Sequence, residues 1–262
     1  MSKKIGIITT GQSPRKEYTS MHRMALKKMG LDVEVIEAGA LDGLTFEEVQ
    51  ALYCKENEIG IGCYANVTAD NNDRRMGSGR LEVWLELNKF YPYVQKAIDT
   101  LEAKGCELIM LCCAEQYPED AFHSNVPFIM PYRAAFDVAH TLATTLNRRP
   151  SIGVLIPDQK HYPQDLASWH CRDWMRNIDV TIGIGIINGV GLSTLKGKKY
   201  DAVFVWGYGE GIAPGDPVDL IKTFEKELNC PIITPSALNL HIARMLLSPA
   251  LDEPSCVDQE NG

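Results

Sequence analysis

An α/β fold with parallel sheets, arranged as two similar lobes, is what this 262-residue sequence predicts. Short, continuous apolar runs alternate with amphipathic stretches, the pattern of strands that helices cover on both faces. The same order of signals then occurs a second time along the chain. The length suits one large domain or two of ordinary size.

Taken in order, the apolar runs predict strands over 5–10, 33–38, 59–64, 108–113, 128–130, 152–156, 181–187, 202–206 and 232–234. Helical spacing predicts helices over 14–29, 45–53, 93–104, 134–146, 163–177, 217–228 and 237–247. At the first helix, Ser13 is placed as N-cap and Pro14 as first helical residue. The pair Gly183 and Gly185 falls in a strand-like run and marks a bend. Residues 70–79 read as a loop of lid-like character.

The repetition is specific. Lys4-Ile5-Gly6-Ile7-Ile8 is echoed by Ser151-Ile152-Gly153-Val154-Leu155, and Gln12 by Gln159. Asn125–Pro131 leads into a helix with Ala139 and Leu142, as Asn229–Pro235 leads into one with Ala243 and Leu246. Two copies predict two lobes facing each other across a cleft at the strand ends. The first lobe would comprise 1–133 plus 237–248, and the second 134–236. Residues 249–262, acidic and without period, would be a disordered tail in which Cys256 is exposed.

Composition excludes several roles. Hydrophobic residues make up 45% and charged residues 23% of the chain, typical of a globular protein. A net charge of −8 argues against nucleic acid or an anionic membrane as partner. With no signal peptide and no apolar run of spanning length, a cytoplasmic location is expected. The eight cysteines lack zinc-type spacing, the six histidines do not pair at ligand spacing, and no metal is expected.

Four places could carry chemistry. Thr10, Gln12, Ser13 and Arg15 follow the first strand and open a helix, a setting that can hold a carboxylate. Cys112 and Cys113 end the strand from Leu108; alternation sends at most one into the cleft, with Glu115 close behind. Gly207-Tyr208-Gly209-Glu210-Gly211 ends a later strand, where Gly207 and Gly209 admit a ligand and Tyr208 or Glu210 could supply a proton. Asn66 and Thr68, at the end of the third predicted strand, suit a polar substrate. Against each stands a structural reading: a capped helix start, buried cysteines, a glycine turn and a polar loop.

On Ile7–Arg15, the Leu101…Leu108–Cys113 pattern with Pro118, Ile152-Gly153-Val154…Pro157…Gln159…Trp169 and Gly207-Tyr208, the chain resembles the AroM family of the aspartate/glutamate racemase superfamily. The resemblance covers most of residues 3–247. It implies two pseudo-symmetric Rossmann-like lobes with parallel four-stranded sheets, and a C-terminal helix crossing back to the first lobe. The superfamily's racemases use no cofactor and two cysteines, one on each side of the substrate's α-carbon. Cys113 matches the first of these. The second would fall near Val205–Gly207, where this chain has no thiol, and Cys-Ala-Glu stands where the family favours Cys-Thr-Gly.

The resemblance therefore implies single-cysteine chemistry on a small carboxylate: isomerisation, or decarboxylation with one-sided protonation. Cys113, Glu115 and Tyr208 are the expected catalytic residues. Thr10, Gln12, Ser13, Arg15, Asn66, Gly207 and Gly209 would bind substrate. The alternative is a protein of the same fold that binds or senses a carboxylate without converting it. The expected partner is a small molecule, with homodimer formation left open.

Overall fold

The computed structural model describes residues 3–56, 58–66, 80–186, 189–209 and 220–248. The predicted tail, the lid-like loop, Thr68, Glu210 and Gly211 lie outside the described residues.

Two four-stranded parallel sheets form the frame. The first has the order β2-β1-β5-β6, with β1 (Lys3–Thr9), β2 (Val33–Gly39), β5 (Leu108–Cys112) and β6 (Phe128–Ile129). The second has the order β10-β9-β7-β8, with β7 (Ser151–Ile156), β8 (Asp179–Ile184), β9 (Ala202–Val205) and β10 (Ile232–Ile233). Alternation divides each strand between two cores. Ile5 and Ile7 join Cys112 under α1 (Lys16–Lys28) and α8 (Pro235–Leu247), whereas Ile8 faces the larger core with α3 (Leu87–Ala103). Each such fully buried aliphatic side chain contributes about 1.5–3 kcal/mol.

Register fixes how the halves correspond. Ile5 lies beside Leu108 in the first sheet, as Ile152 lies beside Ala202 in the second. Carried forward, this puts Cys112 opposite Trp206 and Cys113 opposite Gly207. Packing agrees: a Cβ on Gly6 would meet Leu101 at 2.8 Å, and one on Gly153 would meet Leu195 at 3.1 Å. Those leucines come from α3 and the short α6 (Val190–Leu195), which occupy equivalent places.

The closing helices exchange sheets. α8, which follows β10, packs on β5, β6 and α1 of the first sheet. α4 (Pro131–Thr145), which follows β6, sets Phe136 against Trp169 and Trp206 of the second half.

Several elements depart from expectation. The third strand, β3 (Gly60–Asn66), is not in a parallel sheet but pairs antiparallel with β4 (Arg80–Glu86), which was not anticipated. α3 starts at Leu87, well before Tyr93, because Glu86 caps it and Pro92 is accommodated inside. The predicted helix over 163–177 is two pieces, α5 (Tyr162–Ser168) and a 3-10 turn over Asp173–Asn177. Ser13 does not cap α1: Arg15 is the N-cap residue, the Ser13–Pro14 bond is cis, and Ser13 instead binds Asp42. Gly183 stays in β8, where a Cβ would strike the Gly191 carbonyl at 2.4 Å, and the bend falls at Gly185 with φ +93°.

Candidate functional site

A cavity of about 260 Å³ lies where the carboxyl ends of the two sheets face each other. The β3–β4 ribbon forms a further wall through Ile61, Gly62, Tyr64 and Glu82. Trp84 of that ribbon meets His161 of the second half edge-on at 4.8 Å, so the ribbon bridges the halves.

Cys113 stands just past β5. Its sulfur accepts the Glu115 backbone N–H at 3.3 Å and the Tyr117 hydroxyl at 3.7 Å. Both bonds favour thiolate, but burial and the neighbouring Glu115 carboxyl outweigh them and push the thiol up to about 12. Burial likewise raises Glu115, against a contact with Gln164, the Gln116 backbone N–H at 3.0 Å and the His161 charge. Cys113 is thereby held as an acid. Cys112 also lines the cavity, contrary to the expectation that only one thiol would, because the strand ends there. Its side chain belongs to the core under α1 and α8, and burial raises its pKa still further.

The expected carboxylate-binding set separates in two. Thr10 and Arg15 line the cavity; Gln12 and Ser13 do not. Gln12 is a structural clip, donating to the Leu44 carbonyl at 2.8 Å and accepting the Asn66 N–H at 2.7 Å. Ser13 and Gly39 converge on the Asp42 carboxylate, three bonds of 2.7 Å that hold the turn. The Arg15 N–H is taken by Glu37 at 2.7 Å, so that amide is not available to a ligand. The Arg15 guanidinium stacks on Tyr18 at 4.3 Å and pairs with Glu17. Burial opposes its charge, yet Tyr18 and Glu17 outweigh that and raise its pKa. Asn66 is buried and away from the cavity wall, whereas Gly207 and Gly209 lie on it.

Tyr208 crosses between the halves. It comes from the end of β9, yet its hydroxyl is 2.7 Å from Nε2 of His22 and accepts from Asn239 Nδ2 at 3.0 Å. Tyr208 lines the cavity, with its hydroxyl held by His22 and Asn239 in the first-sheet core, and it positions the Gly207–Gly209 loop. The second-half wall carries residues that the sequence reading passed over: Asp158, His161, Asp165 and Trp206. Asp165 is 1% exposed, and among the described residues neither carboxyl oxygen has a hydrogen-bond partner. Its spacing from Gln159 matches that of Tyr18 from Gln12, the one sequence signal that could have singled it out.

The AroM family model, described as AroM protein, matches residues 5–182. The chain belongs to the AroM family. Glutamate racemase from Francisella tularensis, solved in complex with D-glutamate, is similar in fold at a TM-score of 0.52 and 14% identity. That match covers 94% of this AroM chain and 81% of the racemase. Allantoin racemase from Klebsiella pneumoniae gives a TM-score of 0.50 and 12% identity, over 94% of this chain and 87% of that one. At these identities the likeness shows the Asp/Glu racemase fold. No curated protein sequence matches the chain. Among the described residues no helix is long and apolar enough to cross a membrane.

Two outcomes follow for this AroM protein. In the ligand-free state Cys113 should resist iodoacetamide near neutral pH, its rate climbing about tenfold per pH unit toward about pH 11. Peptide mass spectrometry reads this, and a plateau below about pH 9 would contradict the raised pKa of the thiol. Burial also lowers His22 to about 4 from 6.5, so between those values the unfolded chain binds a proton that the folded chain refuses. Stability should fall as pH falls through that window, by about 1.4 kcal/mol per unit. Urea unfolding should show the slope flattened in His22→Gln, and Tyr208→Phe should cost about 1–3 kcal/mol.

Proposed function

We propose that this chain is a cofactor-independent, isomerase-type enzyme that transfers a proton at the carbon beside a small substrate's carboxylate. The observation that carries the reading is that the Cys113 thiol and the Arg15 guanidinium line one cavity at the carboxyl ends of the two sheets. Arg15 supplies a permanent cation to hold the carboxylate, and Thr10 adds a hydroxyl beside it. Held there, the substrate's α-carbon comes within reach of the sulfur. A thiol is suited to this work because sulfur exchanges protons with carbon readily once its hydration has been removed. The fold shared with glutamate and allantoin racemases is consistent with proton chemistry at carbon.

The neutral state of Cys113 also favours a second reaction: loss of carbon dioxide from a dicarboxylate, followed by protonation from one side. It needs the same thiol and the same cation. The reading extends to the lobe limits at 1–133 plus 237–248 and 134–236, and to a cytoplasmic setting. The latter is in keeping with seven described cysteines that are all free.

The test combines proton NMR in deuterium oxide with thermal shift, on a series of small mono- and dicarboxylates. The wild type should exchange the α-proton of one of them or release carbon dioxide from it. Cys113→Ser should lower that rate by roughly 10²–10⁴ without changing the fold. Full turnover in Cys113→Ser would remove the thiol from the mechanism. A carboxylate that stabilises the protein and is never exchanged or converted would make this a binding protein instead.

A further inference from the structure

Register places Gly207 opposite Cys113, so the position that mirrors the thiol has no side chain at all. The second half nevertheless offers an ionisable group on the same cavity. We infer that Asp165 of α5 is the second proton-transferring residue, acting on the face of the substrate carbon opposite Cys113. This rests on the proton-transfer reading above.

The geometry is unusual for a structural aspartate. Asp165 is 1% exposed and lines the cavity, and both oxygens are buried without a hydrogen-bond partner. A buried carboxyl left unpartnered destabilises the fold by more than an ordinary surface residue could justify, so it points to something that completes it. Among the described residues no cation pairs with it. The groups facing it are Glu115 and Cys113 from the first half, and Asp158 and Trp206 from the second. The Trp206 indole N–H favours its ionised form without closing a hydrogen bond, while Glu115 and Asp158 repel it.

Burial first, and then Glu115, raise Asp165 to about 9, below the thiol at about 12. Of this pair, Asp165 therefore loses its proton first, leaving a carboxylate across the cavity from a neutral thiol. The step then balances. The Asp165 carboxylate removes the proton from the α-carbon, whose electron pair delocalises into the Arg15-held carboxylate as an enediolate. The Cys113 S–H returns a proton to the other face and becomes thiolate. One C–H bond breaks and one forms, one O–H forms and one S–H breaks, and no redox partner is needed. The reverse reaction uses the thiolate as base and the Asp165 acid as donor.

The experiment follows D- and L-aspartate and D- and L-glutamate in deuterium oxide, reading exchange by NMR and configuration by chiral chromatography. Wild type should exchange and invert, with a rate that rises with pH through about 9. Asp165→Asn, close in shape to the protonated acid, should lose inversion at least about a hundredfold and lose that alkaline limb. Exchange of both enantiomers should fall with it, because the neutral Cys113 thiol is a donor and not a base. Inversion at the wild-type rate in Asp165→Asn overturns the proposal and leaves the Cys113 reading standing. Retained turnover in Cys113→Ser overturns the Cys113 reading instead, and a wild type that exchanges neither these four nor any of the wider carboxylate series takes both down. A further measurement needs no substrate: removing the Asp165 charge should speed Cys113 alkylation above pH 9 by about three- to tenfold. An unchanged rate would mean that the two groups do not face each other, and would also overturn it.

Discussion

Each closing helix leaves the sheet that precedes it and packs on the other one, and the burial of the groups at the cleft depends on that exchange. α8 lies on the first sheet, and α4 brings Phe136 onto Trp169 and Trp206 of the second. The halves are thereby pinned with their strand ends facing, and the ionisable groups at those ends are withdrawn from water. Desolvation is the largest single influence on Cys113, Glu115 and Asp165 alike, and for each it favours the neutral form. A cleft that opened to solvent would leave the same residues with ordinary acidities and no chemical distinction.

The second constraint is the ribbon. β3 and β4 stand apart from both sheets and reach from the first half to His161 through Trp84. His161 is itself held by Asp158 at 3.0 Å. The clip from Gln12 to Asn66 and Leu44 fastens the base of the ribbon to the turn that carries Arg15. Residues that seemed from their neighbourhood to be ligands, Gln12, Ser13 and Asn66, thus set where the guanidinium sits.

Much of the frame was legible because its signals are local. Continuous apolar runs marked the eight sheet strands, and repeated Ile-Gly and Asn-x-Pro motifs marked the duplication. β4 escaped notice although Leu81-Glu82-Val83-Trp84-Leu85-Glu86 alternates, because it follows a polar stretch and pairs with a run that reads as a sheet strand. α3 was shortened by Pro92, whose helix-breaking character is real but is overridden by a six-residue apolar face and the Glu86 cap. At the site, Cys113, Arg15, Thr10 and the two glycines could be placed from strand ends alone. Tyr208 could not, since its partners His22 and Asn239 are distant in sequence and only the crossing of α8 brings them together.

Duplication also explains why the buried polar atoms at equivalent places in the two halves are treated differently. The spacing that carries Ile5 to Ile152 carries Tyr18 to Asp165 and His22 to Trp169. The strand register carries Cys112 to Trp206 and Ala114 to Tyr208, and the closing helices carry Ala135 to Asn239. In the first half the hydroxyl of Tyr208 joins His22 and Asn239 into a buried hydrogen-bonded network, in which only the Asn239 Oδ1 is left without a partner among the described residues. In the second half Ala114 and Ala135 stand in their places and offer no polar atom. The Trp169 and Trp206 indole nitrogens and both Asp165 oxygens are accordingly without partners. The same backbone slot is thus filled by a fixed phenol on one side and left without a polar partner on the other, beside the cavity. A hydrogen-bonded network rigidifies, whereas an unpartnered acid beside a cavity has its proton and lone pairs available to a ligand. Divergence of the two copies has left the first half with the thiol and the second with the carboxyl.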